Sequence, residues 1–361
     1  MPHKVRLLIP SLAGGGAERV CVCLANHYAE EGMLVELAVL EKTGTFFSNL
    51  DARVSIVSLD CRRARHAIGK LIRVFREDSR VPNLVFGFEL GVAASMARLL
   101  CPTGAPVVYR EGNSPYGNVS QIRRWAYGAL LTWCSGVIVQ SNAAARELRE
   151  LGLSGLPQLV IGNPARIDDR QRHARAVRSG PVLVAIGRMT PQKGYDRLLH
   201  GFVHLLAARP DARLIMLGEG EQQVELMNLA RRMGVQHAVE WHGFQRDVVR
   251  YLDEADLFVL PSRFEGQPNA LVEAILRQRP VLAAGGDTVC EMLSRLGLAD
   301  SYLSDEDFGA VFVQRVANTL AQPAAHWTRA SGRLQQLCNP ELVARGYGQF
   351  LMALTTSGQI I

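Results

Sequence analysis

The sequence predicts an α/β protein with two parallel sheets, in two Rossmann-like domains that face one another across a cleft. Short apolar runs alternate with amphipathic helical stretches along most of the 361 residues, as in parallel sheets covered on both faces. The alternation breaks once, in a polar, arginine-rich stretch over 164–179 that is typical of an inter-domain linker. The apolar content of 48% with 20% charged residues is ordinary for a chain that buries a sizeable core.

The first series of elements predicts an N-terminal domain over 1–165. Its first strand leads through three glycines into a helix that ends at Gly32, and a basic amphipathic helix is expected at about 64–79. Strands are expected at 5–9, 34–40, 54–59, 84–88, 107–111, 136–140 and 158–163.

The second series predicts a C-terminal domain over 180–340. Strands are expected at 182–188, 213–218, 239–243, 257–262 and 280–286, with helices at about 195–208, 221–233 and 247–254. The last segment, 341–361, contains a helix near 340–354 that we expect to cross back to the first domain.

The segment PSRFEGQPNALVEA is the most informative stretch of the chain. It follows an apolar strand and places Glu265 in a turn and Glu273 inside the next helix. A helix N-terminus behind a glycine turn attracts anions, here with Gly266 in the turn and Asn269 at the helix start. The carboxylates themselves suit neutral hydroxyls, such as those of a sugar and a ribose. The combination suggests a nucleotide-sugar ligand.

A second cluster, GRMTPQKG, follows the first strand of the second series. It holds Arg188 and Lys193 in a glycine-bounded loop. Two cations beside a helix start are what a pyrophosphate leaving group needs. The sequence is not a Walker A motif, and a solvated loop is the alternative reading.

Two clusters in the first domain have equally simple structural readings. Gly14, Gly15 and Gly16 would let a ligand approach the backbone, although a tight strand–helix connection also explains them. In VVYREGNSPYG, ordinary turn chemistry explains the polar residues as well as a ligand-binding role does, here the binding of the molecule that would accept a transferred sugar. The acceptor-side candidates are Arg110, Glu111 and Asn113.

The net charge of +6 is concentrated in local basic segments. The segment 61–80 and the cluster Arg123, Arg124, Trp125 and Tyr127 suit an anionic membrane surface or a solvated face. Nucleic acid is not expected because no binding motif is present. The seven cysteines show no metal spacing, and the chain contains no apolar run long enough to span a membrane. These features predict a cytoplasmic protein, and any membrane contact is expected to be peripheral, on the inner face of the cytoplasmic membrane.

The motifs GGGAER, GRMTPQKGYDRLL, ADLFVLPSRFEGQPNALVEA and the later Glu291 occur in the order seen in glycosyltransferase family 4, which the chain resembles. The resemblance implies the GT-B fold and retention of anomeric configuration. It implies that Arg188 and Lys193 grip the donor diphosphate, that Glu265 contacts the donor sugar and that Glu273 contacts the ribose. The other donor-binding candidates are Gly15, Gly16, Gly243, Phe244, Gly266, Asn269, Ala270 and Leu271.

The expected function is transfer of a hexose or N-acetylhexosamine from a UDP-sugar to a glycan or lipid-linked glycan in bacterial surface polysaccharide synthesis. No metal or other cofactor is expected, because the two cations and helix N-termini supply the positive charge. The acids of SDEDF, 304–308, indicate a helix start rather than a metal site. A GT-B epimerase and a non-catalytic nucleotide-sugar-binding assembly protein remain alternatives; a nicotinamide dehydrogenase would need a GxGxxG motif that the chain lacks.

Overall fold

The computed structural model describes residues 3–13, 15–101, 105–114, 121–165 and 179–357, so most of the expected linker lies outside the described residues. The chain forms two compact units, one of Met1–Pro164 with Cys338–Ile361 and the other of Ala165–Leu337. Each unit is built on one parallel sheet flanked by helices.

The first unit contains a parallel sheet of seven strands in the order β3-β2-β1-β4-β5-β6-β7. Its strands are β1 Lys4–Ile9, β2 Leu34–Val39, β3 Ser55–Ser58, β4 Asn83–Phe86, β5 Val107–Arg110, β6 Gly136–Val139 and β7 Gln158–Val160. Its helices are α1 Gly16–Glu30, α2 Ile68–Glu77, α3 Phe88–Leu99, α4 Gln121–Leu130, α5 Asn142–Leu148 and, at the C-terminal end, α13 Pro340–Ser357.

The second unit contains a parallel sheet of five strands in the order β10-β9-β8-β11-β12. Its strands are β8 Val182–Ile186, β9 Arg213–Leu217, β10 Val239–Trp241, β11 Leu257–Pro261 and β12 Val281–Ala284. Its helices are α6 Tyr195–Ala208, α7 Gln223–Arg232, α8 Val249–Glu254, α9 Asn269–Leu276, α10 Asp287–Leu296, α11 Val311–Leu320 and α12 Ala324–Leu337.

The predicted fold class is confirmed: both sheets are parallel, and a strand lies at each position where an apolar run predicted one. Most strands end one or two residues earlier than predicted, whereas β1 ends at the predicted residue and β7 ends three residues early. Strand β8 stops at Ile186 because Gly187 turns to a φ of +154°, outside the strand region. The basic helix also starts later than predicted, since Ala64–Ala67 forms a 3₁₀ turn before α2.

Strand β1 shows why the apolar runs predict buried parallel strands. Alternate side chains point to opposite faces of a sheet. Leu7 packs in one hydrophobic cluster with Tyr28, whereas Leu8 packs in another with Phe75. Both faces of the sheet are therefore covered, and a strand at its centre must be apolar on both sides.

Helix α13 packs within the first unit. It lies against α1, where the Tyr28 hydroxyl donates to the carbonyl oxygen of Ala344 at 3.0 Å. The chain thus returns to the first unit after completing the second.

In the part of the chain that the structure describes, no helix combines the length and apolarity needed to cross a bilayer. The cysteines are free thiols, and four of them are buried: Cys21, Cys101, Cys134 and Cys338.

Candidate active site

Two loops of the second unit meet at the carboxyl edge of its sheet. Strands β8 and β11 are neighbours, with Val184 in register with Phe258, so their following loops emerge where open parallel sheets bind ligands. Gly194 permits the close approach, because a Cβ there would lie 2.1 Å from the carbonyl oxygen of Pro261. Its φ of +63° also favours glycine.

Lys193 and Glu265 form an ion pair between these loops. The ammonium Nζ lies 2.6 Å from the carboxylate Oε1, and the Ser262 hydroxyl donates to the same oxygen at 2.6 Å. The Glu265 N–H donates to the carbonyl oxygen of Gly285 at 3.0 Å. Glu265 is only 6% exposed. Charge-assisted hydrogen bonds hold its carboxylate just beyond the carboxyl end of β11.

Arg188 occupies the start of the same loop but is arranged differently. Its side chain is exposed, and within the described residues it forms no ion pair or side-chain hydrogen bond. The loop after β8 therefore presents one uncompensated guanidinium and one ammonium paired to a carboxylate.

Arg197 braces the loop after β11. Its Nε donates to the Pro261 carbonyl at 2.7 Å, and Nη2 donates to the Ser262 carbonyl. The guanidinium also pairs with Asp305 and lies over the ring of Phe308, 4.7 Å from its centroid. Burial lowers the pKa of Arg197, but an arginine remains charged at any physiological pH.

Arg263 joins the two loops from the outer side. It donates to the Pro191 carbonyl at 2.8 Å and forms two hydrogen bonds, at 2.9 and 2.6 Å, to the carboxylate of Asp196. The hydrogen bonds to Asp196 raise the pKa of Arg263. Gln192 adds a side-chain hydrogen bond to the carbonyl of Phe264 at 3.0 Å. Lys193 and Glu265 are thus placed by a connected network, not by two independent loops.

Helix α9 begins where the sequence predicts, with Pro268 as its N-cap and Asn269 as its first residue. The first N–H groups of a helix have no partner within the helix, although that of Leu271 already donates to the Pro268 carbonyl at 3.1 Å. The Leu271 side chain is fully buried and packs in the core. The remaining donor-binding candidates of this segment are the buried Gly266 and the half-buried Ala270 and Glu273.

The loop after β10 holds the donor-binding candidates Gly243 and Phe244, and it contacts the loop after β9. Gly243 has a φ of +63°, and its carbonyl accepts from the Gly218 N–H at 2.7 Å. The Phe244 N–H donates to Glu219 Oε1 at 3.2 Å, while the Phe244 ring is 62% exposed. The sequence interpretation missed Glu219; an acid between Gly218 and Gly220 directly after a strand was the available signal.

In the first unit, Gly15 is the N-cap of α1 and Gly16 its first residue; Gly14 lies outside the described residues. A Cβ on Gly15 would fall 2.5 Å from Glu18 Oε2. A carboxylate in the first turn is stabilised by the positive end of the helix dipole. An incoming anionic group at this helix start would therefore have to displace the Glu18 side chain.

The side chain of Glu111 is held by hydrogen bonds from β5, from α4 and from its own loop. Its carboxylate accepts from the Tyr109 hydroxyl at 2.7 Å, from the Tyr127 hydroxyl, and from the N–H groups of Gly112 and Asn113 at 2.9 and 3.1 Å. Tyr127 is buried by this contact, so it does not belong to the basic surface cluster in which the sequence interpretation placed it. Helix α4 turns it towards the core while Trp125 faces outward.

Arg110 is likewise committed internally. It is buried, donates to Asn163 Oδ1 at 2.5 Å and to the Tyr347 hydroxyl at 3.1 Å, and lies over the ring of Phe86. Asn113 is half-buried and accepts from the N–H of the next residue at 3.0 Å. Arg110 and Glu111 therefore shape the loop after β5, and the acceptor-side role of all three residues stays a prediction.

No cluster of three or more histidine, cysteine, aspartate or glutamate side chains suited to a metal ion occurs among the described residues. In SDEDF, Asp307 accepts from the N–H of Ser304 at 2.7 Å and from its hydroxyl at 2.9 Å, and Glu306–Phe308 forms a 3₁₀ turn.

Two family models match the chain in succession. "Glycosyl transferase 4-like domain" matches residues 15–164, and "Glycosyl transferases group 1" matches residues 180–322. The two matches fall on the two units of the structure.

Similar proteins carry related descriptions. An uncharacterized glycosyltransferase of Haemophilus influenzae is 22% identical over 276 residues, which are 75% of this chain and 77% of that protein. The lipopolysaccharide core biosynthesis glycosyltransferase LpsE of Rhizobium meliloti is 29% identical over 139 residues, which are 38% of each chain.

The crystal structure of Anabaena HepE in complex with UDP and glucose superposes with a TM-score of 0.79 at 18% identity, covering 98% of this chain and 100% of that one. At this identity the likeness shows the shared fold of two parallel-sheet domains.

Proposed function

The chain belongs to the family 4 type of glycosyltransferases with the GT-B fold, and we propose that it transfers a hexosyl or N-acetylhexosaminyl group from a UDP-sugar with retention of anomeric configuration. The proposed acceptor is a glycan or lipid-linked glycan in bacterial surface polysaccharide synthesis. LpsE, described as an enzyme of lipopolysaccharide core biosynthesis, and the UDP-bound HepE structure support this choice.

The observation that carries the proposal is the pairing of Lys193 with Glu265 at the carboxyl edge of the second sheet. The same loop holds Arg188, whose guanidinium has no partner in the part of the chain that the structure describes. A nucleotide-sugar offers both a diphosphate and neutral hydroxyls. The two cations suit the diphosphate, and the carboxylate suits the sugar hydroxyls.

In the proposed reaction, the bond between the anomeric carbon and the β-phosphate oxygen breaks while the acceptor oxygen bonds to the same face of that carbon. The acceptor proton passes to a leaving phosphate oxygen, so the products are the glycoside and UDP. Charge accumulates on the departing UDP. Arg188 and Lys193 stabilise this charge, which is the contribution that lowers the barrier.

The ion pair must rearrange when the donor binds. Lys193 turns its charge towards the leaving phosphate, and Glu265 accepts a hydrogen bond from the sugar. The Ser262 hydroxyl stays on Glu265 Oε1, so the carboxylate keeps one hydrogen bond when Lys193 departs. Arg188 and Lys193 supply the positive charge without a metal ion.

The first unit carries a basic surface suited to an anionic membrane, where a lipid-linked acceptor would reside. The exposed basic residues of α2 and its flanks are Arg62, Arg63, Arg65, Lys70, Arg73, Arg76 and Arg80, and they outnumber the one exposed acid, Glu77. On α4, Ile122 is 80% and Trp125 is 64% exposed, and helix α3 packs against both α2 and α4. We propose that this surface holds the enzyme reversibly on the membrane.

The test is a thermal-shift titration with UDP in the presence of EDTA, followed by NMR of UDP-sugars incubated with and without candidate acceptors. We expect UDP to raise the melting temperature without a divalent ion, and a glycoside to form only when acceptor is present. Stabilisation that requires magnesium or manganese would overturn the charge assignment. Conversion of donor to an epimer without acceptor would overturn the transferase assignment.

A further inference from the structure

Tyr195 begins α6, directly after the loop that carries Arg188 and Lys193. Its side chain is 1% exposed, and the ring packs in the core of the second unit. The hydroxyl reaches back to the loop, since a Cβ placed on Gly187 would lie 3.0 Å from Tyr195 Oη and 3.5 Å from Lys193 Cε. The phenol hydroxyl and the lysine side chain therefore approach the same side of Gly187.

The Tyr195 hydroxyl forms no hydrogen bond within the described residues, whereas buried tyrosine hydroxyls normally have a partner. The hydroxyl lies against Gly187, directly after the carboxyl end of β8.

The hydroxyl is available as a hydrogen-bond donor. Burial raises the pKa of Tyr195, and the nearby negative charge of Glu265 raises it further, so the phenol stays protonated at physiological pH. A neutral O–H on the same side of Gly187 as the Lys193 side chain favours an anionic ligand, because both groups donate and neither carries negative charge.

We propose that Tyr195 is a further donor-binding residue, and that its hydroxyl donates a hydrogen bond to the leaving phosphate that Lys193 also contacts. This inference rests on the proposed function, since that function places a phosphate beside Lys193. The inference goes beyond the proposed function because it assigns a ligand contact to Tyr195, whose ring packs in the core.

The substitution Tyr195→Phe tests this contact because it removes the hydroxyl and keeps the ring. The folded chain loses no internal hydrogen bond, so we expect the melting temperature to stay the same or rise. Binding of UDP, measured by isothermal titration, should weaken about tenfold, as for a hydrogen bond to a charged group. Binding of UMP, which lacks the leaving phosphate, should change by less than about twofold.

Tyr28→Phe is the matched control, since Tyr28 is also buried but donates to the Ala344 carbonyl in the first unit. It should lower the melting temperature and leave UDP affinity unchanged. Wild-type UDP affinity in Tyr195→Phe, or equal losses for UDP and UMP, would overturn the phosphate contact while the proposed function stands. Failure of the wild-type protein to bind UDP would overturn both.

Discussion

The ammonium of Lys193 and the carboxylate of Glu265 lie 2.6 Å apart although the residues are 72 positions apart in the sequence. The proposed function assigns the leaving phosphate to Lys193 and the sugar to Glu265, and the structure shows these two groups neutralising one another in an ion pair. In the proposed reaction, donor binding replaces the ion pair with a contact between Lys193 and the phosphate and another between Glu265 and the sugar. The two residues therefore carry opposite predictions for UDP affinity.

Glu265→Ala should lower turnover on the order of a hundredfold while leaving UDP affinity unchanged or slightly tighter. The substitution removes the contact with the reacting sugar but also frees Lys193 for the diphosphate. Isothermal titration with UDP and initial transfer rates on the same protein preparation measure the two effects separately. Ser262→Ala, which removes one hydrogen bond from the Glu265 carboxylate, should change turnover in the same direction and by less. A parallel fall in UDP affinity and turnover for Glu265→Ala would contradict the assignment of the sugar to Glu265 and the phosphate to Lys193.

Lys193→Ala should weaken both UDP binding and transfer, because it removes charge from the leaving phosphate. It should also reduce the free energy of unfolding by about 1–3 kcal/mol, since Glu265 is left nearly buried without its cation. Chemical denaturation of the single variants and of Lys193→Ala with Glu265→Ala gives the coupling between the two residues. We expect the double variant to recover part of the lost stability. Strictly additive effects would show that the ion pair contributes nothing to folding.

The parts of this site that the sequence predicts are those carried by local pattern. Apolar runs such as Leu257–Pro261 locate the strands because a parallel sheet buries both faces. The parts that the sequence does not predict depend on tertiary approach. Ser262 is one of many small polar residues in the sequence, and only the structure shows its hydroxyl against Glu265. For Glu219 the sequence offers a signal, an acid between two glycines directly after a strand, but not the contact with the Phe244 N–H.

The same limit applies to the first unit. Glu111 accepts hydrogen bonds from Tyr109, which is 2 residues away, and from Tyr127, which is 16 residues away. Tyr127 belongs to a basic, aromatic run in the sequence, but the helical period of α4 turns it inward to Glu111. Composition alone cannot show which aromatic residue of such a helix faces the buried Glu111 and which faces solvent.

Glu273→Ala should weaken binding of UDP by about 1.5–3 kcal/mol, the value of a hydrogen bond that involves a charged group. The proposed reason is loss of the acceptor for a ribose hydroxyl. Turnover at saturating donor should fall much less than for Glu265→Ala, because the ribose does not change during the reaction. The matched control is Glu225→Ala on the exposed part of α7, for which titration should give wild-type affinity. An unchanged UDP affinity in Glu273→Ala would exclude the ribose contact.

The exposed surface of the first unit should bind vesicles that contain anionic lipid and release them as salt is raised. Each basic residue near such a surface contributes about 1 kcal/mol, and the attraction falls off within a Debye length. Exposed Trp125 adds an aromatic group suited to the lipid–water interface. Flotation with anionic and zwitterionic vesicles at low and high salt measures the effect.

Arg73→Glu with Arg76→Glu should abolish flotation, and Trp125→Ala should weaken it at every salt concentration. Arg231→Glu with Arg232→Glu makes the same change of charge on the exposed α7 of the second unit and should leave flotation intact. This pair of charge reversals separates a defined membrane-binding surface from a general response to net charge, since both lower the net charge by four. Equal losses for the two double variants would point to net charge alone, and no flotation of the wild-type protein at low salt would remove the membrane from the proposed function.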